Sequence, residues 1–313
     1  MASSSLKKPH AVCVPFPSQG HMNPVLSLAK VLHSRGFHIT FVLSDYNYRR
    51  LLLSRDSIRE LRDFRFVAMY DGLPFSDANT TQNVPDLCES TMKTCLGPFQ
   101  RLLADLNEER HTPPVSCIVA DGAMSFTLDA ALELDIPEIL FWTTSACAFL
   151  AYLNFQQLVD RGIVPLKDAA ALTNGYLDTE VDWIPGLRQG IRLKDLPSFL
   201  RVTDIKDKMF NYILHETYRA SMATAIVLNT FEALEASVLE ALRQILPSVH
   251  AIGPLSLLSR RLISNDSQLA SINTSLWKEN TACVPWLNGK RDRSVVYVNF
   301  GSVTLESKLL GVE

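Results

Sequence analysis

Short apolar runs alternate with longer amphipathic segments between residues 11 and 252. The runs at 11–16, 39–44 and 115–120 are nearly all apolar, and segments of helical length at 24–34 and 125–134 follow two of them. Strands that alternate with helices are typical of βαβ units and a parallel sheet, and strands without a polar face indicate helices on both sides of it. The predicted fold class is α/β, with a doubly wound parallel sheet.

The first predicted helix has boundary signals at both ends. Asn23 offers a capping side chain, Pro24 suits the first helical position, and Gly36 suits the position after the last turn. These signals predict a helix over 24–34, preceded by a loop over 17–22.

The same pattern continues further along the chain, where Thr230 stands in a capping position. Four more elements follow from it: a strand at 138–142, a strand at 225–229, a helix at 230–245 and a strand at 249–252. The predicted N-terminal domain therefore comprises residues 1–252.

After residue 252 the alternation gives way to Pro, Ser, Asn and scattered charge, so residues 253–281 are predicted to form an interdomain linker. A new apolar run at 295–300 predicts one strand of a second domain, which we expect to begin at residue 282 and to be incomplete at residue 313.

Composition places the chain among ordinary globular proteins, with 47% hydrophobic and 20% charged residues. Its net charge of -3 does not favour a nucleic-acid partner. The longest apolar stretch, 139–153, is interrupted by polar residues and falls short of the roughly 20 residues that a membrane span needs. The apolar stretch near the N-terminus is too short for a signal-peptide core. We therefore expect a cytoplasmic protein without a membrane span.

Several common catalytic motifs are excluded by inspection. The six cysteines form no CxxC pair and no Cys/His cluster at metal-ligand spacing, so no metal site is predicted. The loop after the first strand, Pro17-Ser18-Gln19-Gly20-His21, has one glycine, which disfavours an NAD-dependent oxidoreductase. A Walker loop, a G-x-S-x-G elbow and an H-E-x-x-H helix are also missing from the sequence.

Two polar residues follow predicted strands directly, at the edge where doubly wound sheets bind their ligands. His21 follows the first strand, and Asp121 follows the strand at 115–120. If these strands are neighbours, the carboxylate orients the imidazole and stabilises its protonated form, which makes His21 a candidate general base. The alternatives are that His21 packs within its loop and that Asp121 caps the following helix.

At this point the sequence resembles the plant family of UDP-dependent glycosyltransferases that act on small molecules. The segments that carry the resemblance are Pro15-Phe16-Pro17-Ser18-Gln19-Gly20-His21-Met22-Asn23-Pro24, Val119-Ala120-Asp121, Phe141-Trp142-Thr143-Thr144-Ser145, Asn229-Thr230-Phe231-Glu232-Ala233-Leu234-Glu235 and Val295-Val296-Tyr297-Val298-Asn299-Phe300-Gly301-Ser302-Val303-Thr304.

The resemblance implies a GT-B-like fold, in which two Rossmann-like domains face each other across a cleft. The first domain holds most of the acceptor, and the second holds most of the UDP-sugar. His21 matches the family's catalytic base and Asp121 matches its partner, for direct displacement with inversion. No cofactor or metal is implied, because UDP-glucose is a co-substrate, and the complete protein is expected to be a monomer.

Further site residues are carried over from the same resemblance. Predicted donor contacts are Ser18, Gly20, Thr143, Ser302 and Thr304. For Thr143 and the neighbouring Ser145, helix capping is an equal alternative. Predicted walls of a pocket for a small hydrophobic alcohol are Phe16, Phe75, Met92, Phe149, Trp183, Phe199 and Phe210, although aromatic side chains more often belong to the core.

The family's long signature segment, which grips uridine, phosphates and sugar, is not in this sequence. We therefore expect negligible transfer by this chain alone, because the base lacks a held electrophile. The alternative hypothesis is a non-catalytic product that binds small molecules or interferes with dimers.

Overall fold

The protein is described by a computed structural model over residues 8–54, 61–77, 82–246, 248–278 and 281–299. Its strands are β1 (His10–Val14), β2 (His38–Ser44), β3 (Phe64–Met69), β4 (Cys117–Asp121), β5 (Glu138–Trp142), β6 (Ala225–Leu228) and β7 (Val249–Ala251). The long and short α-helices are α1 (Gln19–Ser34), α2 (Asp45–Ser54), α3 (Val84–Thr94), α4 (Leu96–Glu108), α5 (Thr127–Glu133), α6 (Ala146–Leu153), α7 (Phe155–Asp160), α8 (Lys208–Arg219), α9 (Glu232–Ile245), α10 (Leu255–Leu262), α11 (Gln268–Ser271) and α12 (Cys283–Asn288). Short 3₁₀ helices lie at Ala169–Leu172, Tyr176–Asp178, Leu193–Asp195, Ser198–Leu200 and Ala220–Met222.

The strands form one parallel sheet in the order β3-β2-β1-β4-β5-β6-β7. The order changes direction between β1 and β4, which pair side by side so that Val14 lies opposite Ala120. Loops diverge at such a point and leave a crevice beyond the strand ends. The predicted doubly wound α/β fold is confirmed, and so is the neighbourhood of the two strands that precede His21 and Asp121.

Hydrophobic cores lie on both faces of the sheet. Val12 and Val14 of β1 belong to one core, whereas Ala11 and Cys13 belong to the other. Because successive side chains of a strand point to opposite faces, a strand covered on both sides must be apolar throughout. This explains why the strands read as continuous apolar runs.

Helix α1 begins at Gln19, five residues before the predicted start at Pro24, so the predicted loop over 17–22 is wrong. The buried face of the helix already includes Met22, and burying that side chain requires the turn that carries it. Pro24 lies inside the helix and is a poor guide to its start. Gly36 follows the helix with φ of +94°, as predicted for a residue beyond the last turn.

Helix α9 also departs from the prediction, because it begins at Glu232 and the residue at its N-cap is Phe231. Thr230 does not cap it; the carbonyl of Thr230 instead accepts a hydrogen bond of 2.8 Å from the N–H of Gly253. The loop after β6 is thus tied to the start of the predicted linker.

Much of the predicted linker packs on the sheet domain. Helix α10 lies against α1, and Leu255, Ile272 and Leu276 are buried in one of the two cores. The amide side chain of Gln19 donates to the carbonyl of Thr274 at 3.1 Å and accepts from the N–H of Leu276 at 3.0 Å. This segment therefore adds to the core, and the domain boundaries stay a prediction.

The predicted strand at 295–300 is not formed over residues 295–299, and Phe300 lies outside the described residues. Val296 and Tyr297 are 85% and 83% exposed. A strand needs a hydrogen-bonded neighbour, and in the described part of the chain none pairs with this segment.

Candidate active site

His21 and Asp121 meet at the crevice between β1 and β4. His21 lies in the first turn of α1, and Asp121 is the last residue of β4. The Nδ1 atom of His21 is 2.8 Å from the Oδ2 atom of Asp121. An ionised carboxylate only accepts hydrogen bonds, so Nδ1 carries the proton and Nε2 is left as the basic nitrogen.

The carboxylate of Asp121 is fixed on its other side as well. Its Oδ1 accepts a hydrogen bond of 3.0 Å from the N–H of Ala123, and the residue is only 1% exposed. A carboxylate held at both oxygens cannot swing away from the imidazole. The capping alternative therefore accounts for only one oxygen of Asp121. Oδ1 accepts from the turn that follows the strand, and Oδ2 accepts from His21.

Thr143 joins the pair from the loop after β5. Its Oγ1 is 3.0 Å from the same Nδ1 atom of His21 and shares that N–H with Asp121. The neighbouring Ser145 accepts a hydrogen bond from the N–H of Ala148 and caps α6. The capping alternative thus describes Ser145, whereas Thr143 faces His21.

The surroundings of His21 act on its pKa in opposite directions. Burial lowers the pKa, but the charge of Asp121 and its hydrogen bond together outweigh burial and raise the pKa above the ordinary value. The side chain keeps 32% of its surface exposed. His21 is therefore a stronger base than a free imidazole and remains open to a ligand.

A cavity of about 200 Å³ opens beside this pair. Its walls are Phe16, Ser18, His21, Val84, Cys88, Asp121, Ala123, Trp142, Thr143, Thr144, Tyr152, Phe199, Met209, Tyr212 and Ile213. Burial raises the pKa of Cys88 to about 12, so this thiol stays neutral. The hydroxyl of Tyr212 donates to the carbonyl of Ala123 and is therefore occupied within the wall. Most of the lining is apolar, apart from the His21 edge.

The predicted donor contacts fall into three groups. Ser18 and Thr143 line the cavity. Gly20 lies in the first turn of α1, where an added Cβ would meet no atom within 4 Å. Ser302 and Thr304 lie outside the described residues.

Two of the seven predicted acceptor-pocket residues, Phe16 and Phe199, line the cavity. Phe149 is fully buried and stacks behind Trp142 with ring centroids 4.4 Å apart, and Phe210 is also in the core. The other three lie elsewhere: Phe75 is 80% exposed beneath Arg49, Trp183 lies beneath Arg161, and Met92 lines a different surface groove.

The sequence analysis named Met92 of α3 and Phe210 of α8, but it missed the residues by which these two helices line the cavity. Val84 and Cys88 come from α3, and Met209, Tyr212 and Ile213 come from α8. The apolar positions 209, 210, 212 and 213 recur at helical spacing, which could have located α8. That pattern does not say which of them face the cavity.

Within the described ranges, no group of three His, Cys, Asp or Glu side chains is placed to hold a metal ion. Across the same ranges, no helix is long and apolar enough to cross a membrane.

Comparison with known proteins shows which proteins the chain resembles. Residues 9–159 match the family model for the glycosyltransferase N-terminal domain. The chain is 55% identical, over 97% of its length, to a 7-deoxyloganetin glucosyltransferase of Gardenia jasminoides. It is 53% identical, over 96% of its length, to an (R)-mandelonitrile beta-glucosyltransferase of Prunus dulcis. Over nearly its whole length the chain is similar to plant UDP-glycosyltransferases. It spans 64% and 63%, respectively, of the lengths of these two relatives.

The fold of the chain is also found in solved structures. A crystal structure of a UDP-glucose: anthocyanidin 3-O-glucosyltransferase in complex with UDP is similar, with a TM-score of 0.72 at 24% identity. The likeness covers 95% of this chain and 61% of that one. It confirms the GT-B-like, Rossmann-like fold class.

Proposed function

We propose that this chain supplies the acceptor site and the catalytic base of a UDP-glycosyltransferase that moves glucose from UDP-glucose to a hydroxyl of a small plant metabolite. The hydrogen bond between His21 and Asp121 at the mouth of an apolar cavity carries the proposal. The activities in the names of the relatives support glucosyl transfer in general terms. A cytoplasmic location and a monomeric state are part of the same proposal.

The mechanism follows from the tautomer of His21. The Nε2 atom takes the proton from the acceptor hydroxyl as its oxygen attacks the anomeric carbon of the sugar. The bond from that carbon to the diphosphate breaks, and UDP leaves from the opposite face, so the configuration inverts. Asp121 stabilises the imidazolium that forms, without taking the proton itself. Ser18 and Thr143 lie at the same edge and are proposed to contact the sugar.

The cavity favours a small hydrophobic alcohol. Its walls bring apolar surface from the loop after β1, from the end of β5 and from α3, α6 and α8 around one basic nitrogen. Such a site selects an acceptor by burying its apolar body and orients it through the hydroxyl that reacts. A strongly hydrated polyol would lose more solvation than this lining returns.

Transfer also needs a held donor, which the family resemblance assigns mainly to a second domain. For the experiment, the chain is therefore fused to the part of the Gardenia jasminoides relative that it does not cover. We call the resulting protein the completed fusion. With UDP-glucose and a panel of small alcohols, we expect glucosides that mass spectrometry detects. The variant His21→Ala should lose at least about 100-fold in rate, the typical scale of general-base catalysis, while still binding UDP. Unchanged turnover would refute the assignment of His21.

The alternative is a non-catalytic role in binding small molecules. The mostly apolar cavity of about 200 Å³ beside His21 supports this role, because such a cavity can bind a small alcohol without any reaction. Calorimetric titration of the 313-residue chain with UDP-glucose and with small alcohols separates the two functions. Alcohol binding without transfer, in the chain and in the completed fusion alike, would favour the binding role.

A further inference from the structure

A buried arginine lies close to the active-site cavity. Arg50 is on α2, the helix that follows β2, and is only 7% exposed. Its Cζ is 3.7 Å from the centroid of the Trp277 ring, and its Nη1 donates to the Tyr46 hydroxyl at 3.0 Å. Among the described residues, Arg50 makes no other hydrogen bond and no ion pair with a carboxylate. A charge this deeply buried is normally paired.

The unused donors of Arg50 point to open space. A guanidinium has five N–H donors, and Tyr46 takes one of them. Neither Nε nor Nη2 is among the enclosed polar atoms that lack a partner, so both have accessible surface. Arg50 lines a cavity of about 60 Å³, together with the polar side chains of Ser18, Asn47 and Gln82. The NH₂ groups of Asn47 and Gln82 already donate to the Pro17 carbonyl and to Asp71, so Arg50 supplies the unused donors and the unpaired positive charge of this cavity.

This small cavity adjoins the one at His21. Phe16, Ser18 and Val84 line both cavities, so the two are separated only by shared walls. Both lie at the same edge of the sheet, because α1 follows β1 and α2 follows the neighbouring β2. An elongated ligand that displaces these shared side chains would extend from His21 towards Arg50.

We propose that the Arg50 cavity is a subsite for a carboxylate on the acceptor, so that the protein accepts hydroxy acids whose hydroxyl lies at His21. The inference rests on the proposed function and deepens it by naming a substrate class. The planar guanidinium fork matches a carboxylate with two parallel N–H···O bonds, which a neutral ester cannot equal. Trp277 stacks on one face of the guanidinium, and the burial of Arg50 lowers the local dielectric constant, which strengthens the attraction.

A structural role for Arg50 makes a different prediction. If its only task is to stack on Trp277 and fix the 272–278 segment, replacing it would lower stability but would not alter the choice between an acid and its ester. The measurement that decides is therefore a binding ratio between matched ligands, and not the affinity for either one.

The test uses the 313-residue chain itself with 3-(4-hydroxyphenyl)propanoate and its methyl ester at neutral pH, followed by calorimetry and by tryptophan fluorescence. We expect the acid to bind at least about tenfold more tightly than the ester, as a charge-assisted pair predicts. In Arg50→Gln the ratio should fall to about one. In the matched control Arg49→Gln it should persist, because Arg49 lies over the exposed Phe75 ring, away from the cavity.

Arg50→Lys keeps the charge but lacks the planar guanidinium fork. It replaces Arg50→Gln in the test if circular dichroism shows that the glutamine variant is unfolded. An intermediate acid preference in the lysine variant supports the subsite. An acid preference equal to wild type in a folded Arg50 variant overturns it, and so does equal binding of acid and ester by the wild type. Arg50-dependent binding of UDP in place of the acid would assign the cavity to a donor phosphate and also overturn the proposal. Failure of the wild type to bind any ester or alcohol would instead contradict the proposed function.

Discussion

The variant Asp121→Asn tests the His21–Asp121 pair most directly, because it keeps the shape of the side chain and removes its charge. In the wild type, the Asp121 carboxylate accepts the Nδ1–H of His21 at 2.8 Å. An amide can present its NH₂ group to Nδ1 instead, which moves the ring proton to Nε2 and blocks the base. The imidazolium formed during transfer also loses its counter-charge.

The size of the effect follows from the geometry. A hydrogen bond to a charged group is worth about 1.5–3 kcal/mol, and each 1.36 kcal/mol changes a rate about tenfold. Losing the interaction with the imidazolium should therefore slow transfer by roughly 10- to 150-fold, and the wrong tautomer should add to this, towards about 10⁴-fold. The binding of a neutral acceptor should change little, since the apolar walls are untouched.

Two assays check this prediction. In the completed fusion, the rate under saturating donor and acceptor should fall for Asp121→Asn but not for Asp105→Asn, which alters an exposed aspartate on α4. In the chain itself, nuclear magnetic resonance titration should show the pKa of His21 above its ordinary value in the wild type and below it in the variant, because only burial then acts. A variant with the wild-type rate, or with an unchanged His21 pKa, would refute the reasoning.

The same pair contributes to stability with a definite sign. A histidine whose pKa is higher in the folded state binds its proton more tightly there than in the unfolded chain. The pair therefore stabilises the fold fully below the unfolded pKa of about 6.5, and this contribution is lost as pH rises through the folded pKa. In Asp121→Asn, where burial alone lowers the pKa of His21, this dependence should reverse, so that stability rises with pH in denaturant titrations at several pH values.

Three further variants probe the supports of the site. In Gly122→Ala the new Cβ would overlap the Trp142 indole, so the free energy of unfolding should drop by about 1–3 kcal/mol in urea titrations, whereas Gly20→Ala should cost nothing. Glu235→Ala removes the carboxylate that accepts the first two N–H groups of α6 at 3.1 and 2.8 Å, and should cost about 1–2 kcal/mol by the same measurement. Burial raises the pKa of Glu138 to about 8, so stability should fall as pH rises from about 4.5 to 8, and Glu138→Gln should flatten that slope in melting experiments. A Glu138→Gln profile as steep as the wild type would contradict this origin.

The strands could be predicted from sequence because burial on both faces leaves an unbroken apolar run. The strand predicted at 138–142 has the bounds observed for β5, and the predictions for β1, β2 and β4 fall within two residues of the observed bounds. Helix boundaries were harder to predict. Pro24 suggested a late start for α1, whereas the burial of Met22 requires an earlier one. Local propensity yields to packing in such cases.

In the candidate site, the catalytic pair could be predicted from the sequence, whereas most of the cavity walls could not. His21 and Asp121 follow strands directly, so knowing that the sheet is parallel was enough to bring them to one edge. The cavity walls depend on which side of α3 and α8 faces inward, and that is set by packing between helices. Phe75 and Phe149 show the difficulty, since one is exposed and the other lies behind Trp142. Residue type alone does not distinguish a core ring from a pocket ring.

Residues on both sides of His21 in the chain are fixed by contacts with the rest of the protein. This explains why the first turn of α1 can carry a base without fraying. Gln19, two residues earlier, is bonded to the 274–276 segment, and Met22, one residue later, is buried in the core. Asp121 then fixes the ring through a carboxylate that the next turn of the chain also holds. Helix ends normally open most easily, so these contacts are what keep Nε2 directed at one place. The segment predicted as a linker therefore helps to orient the base.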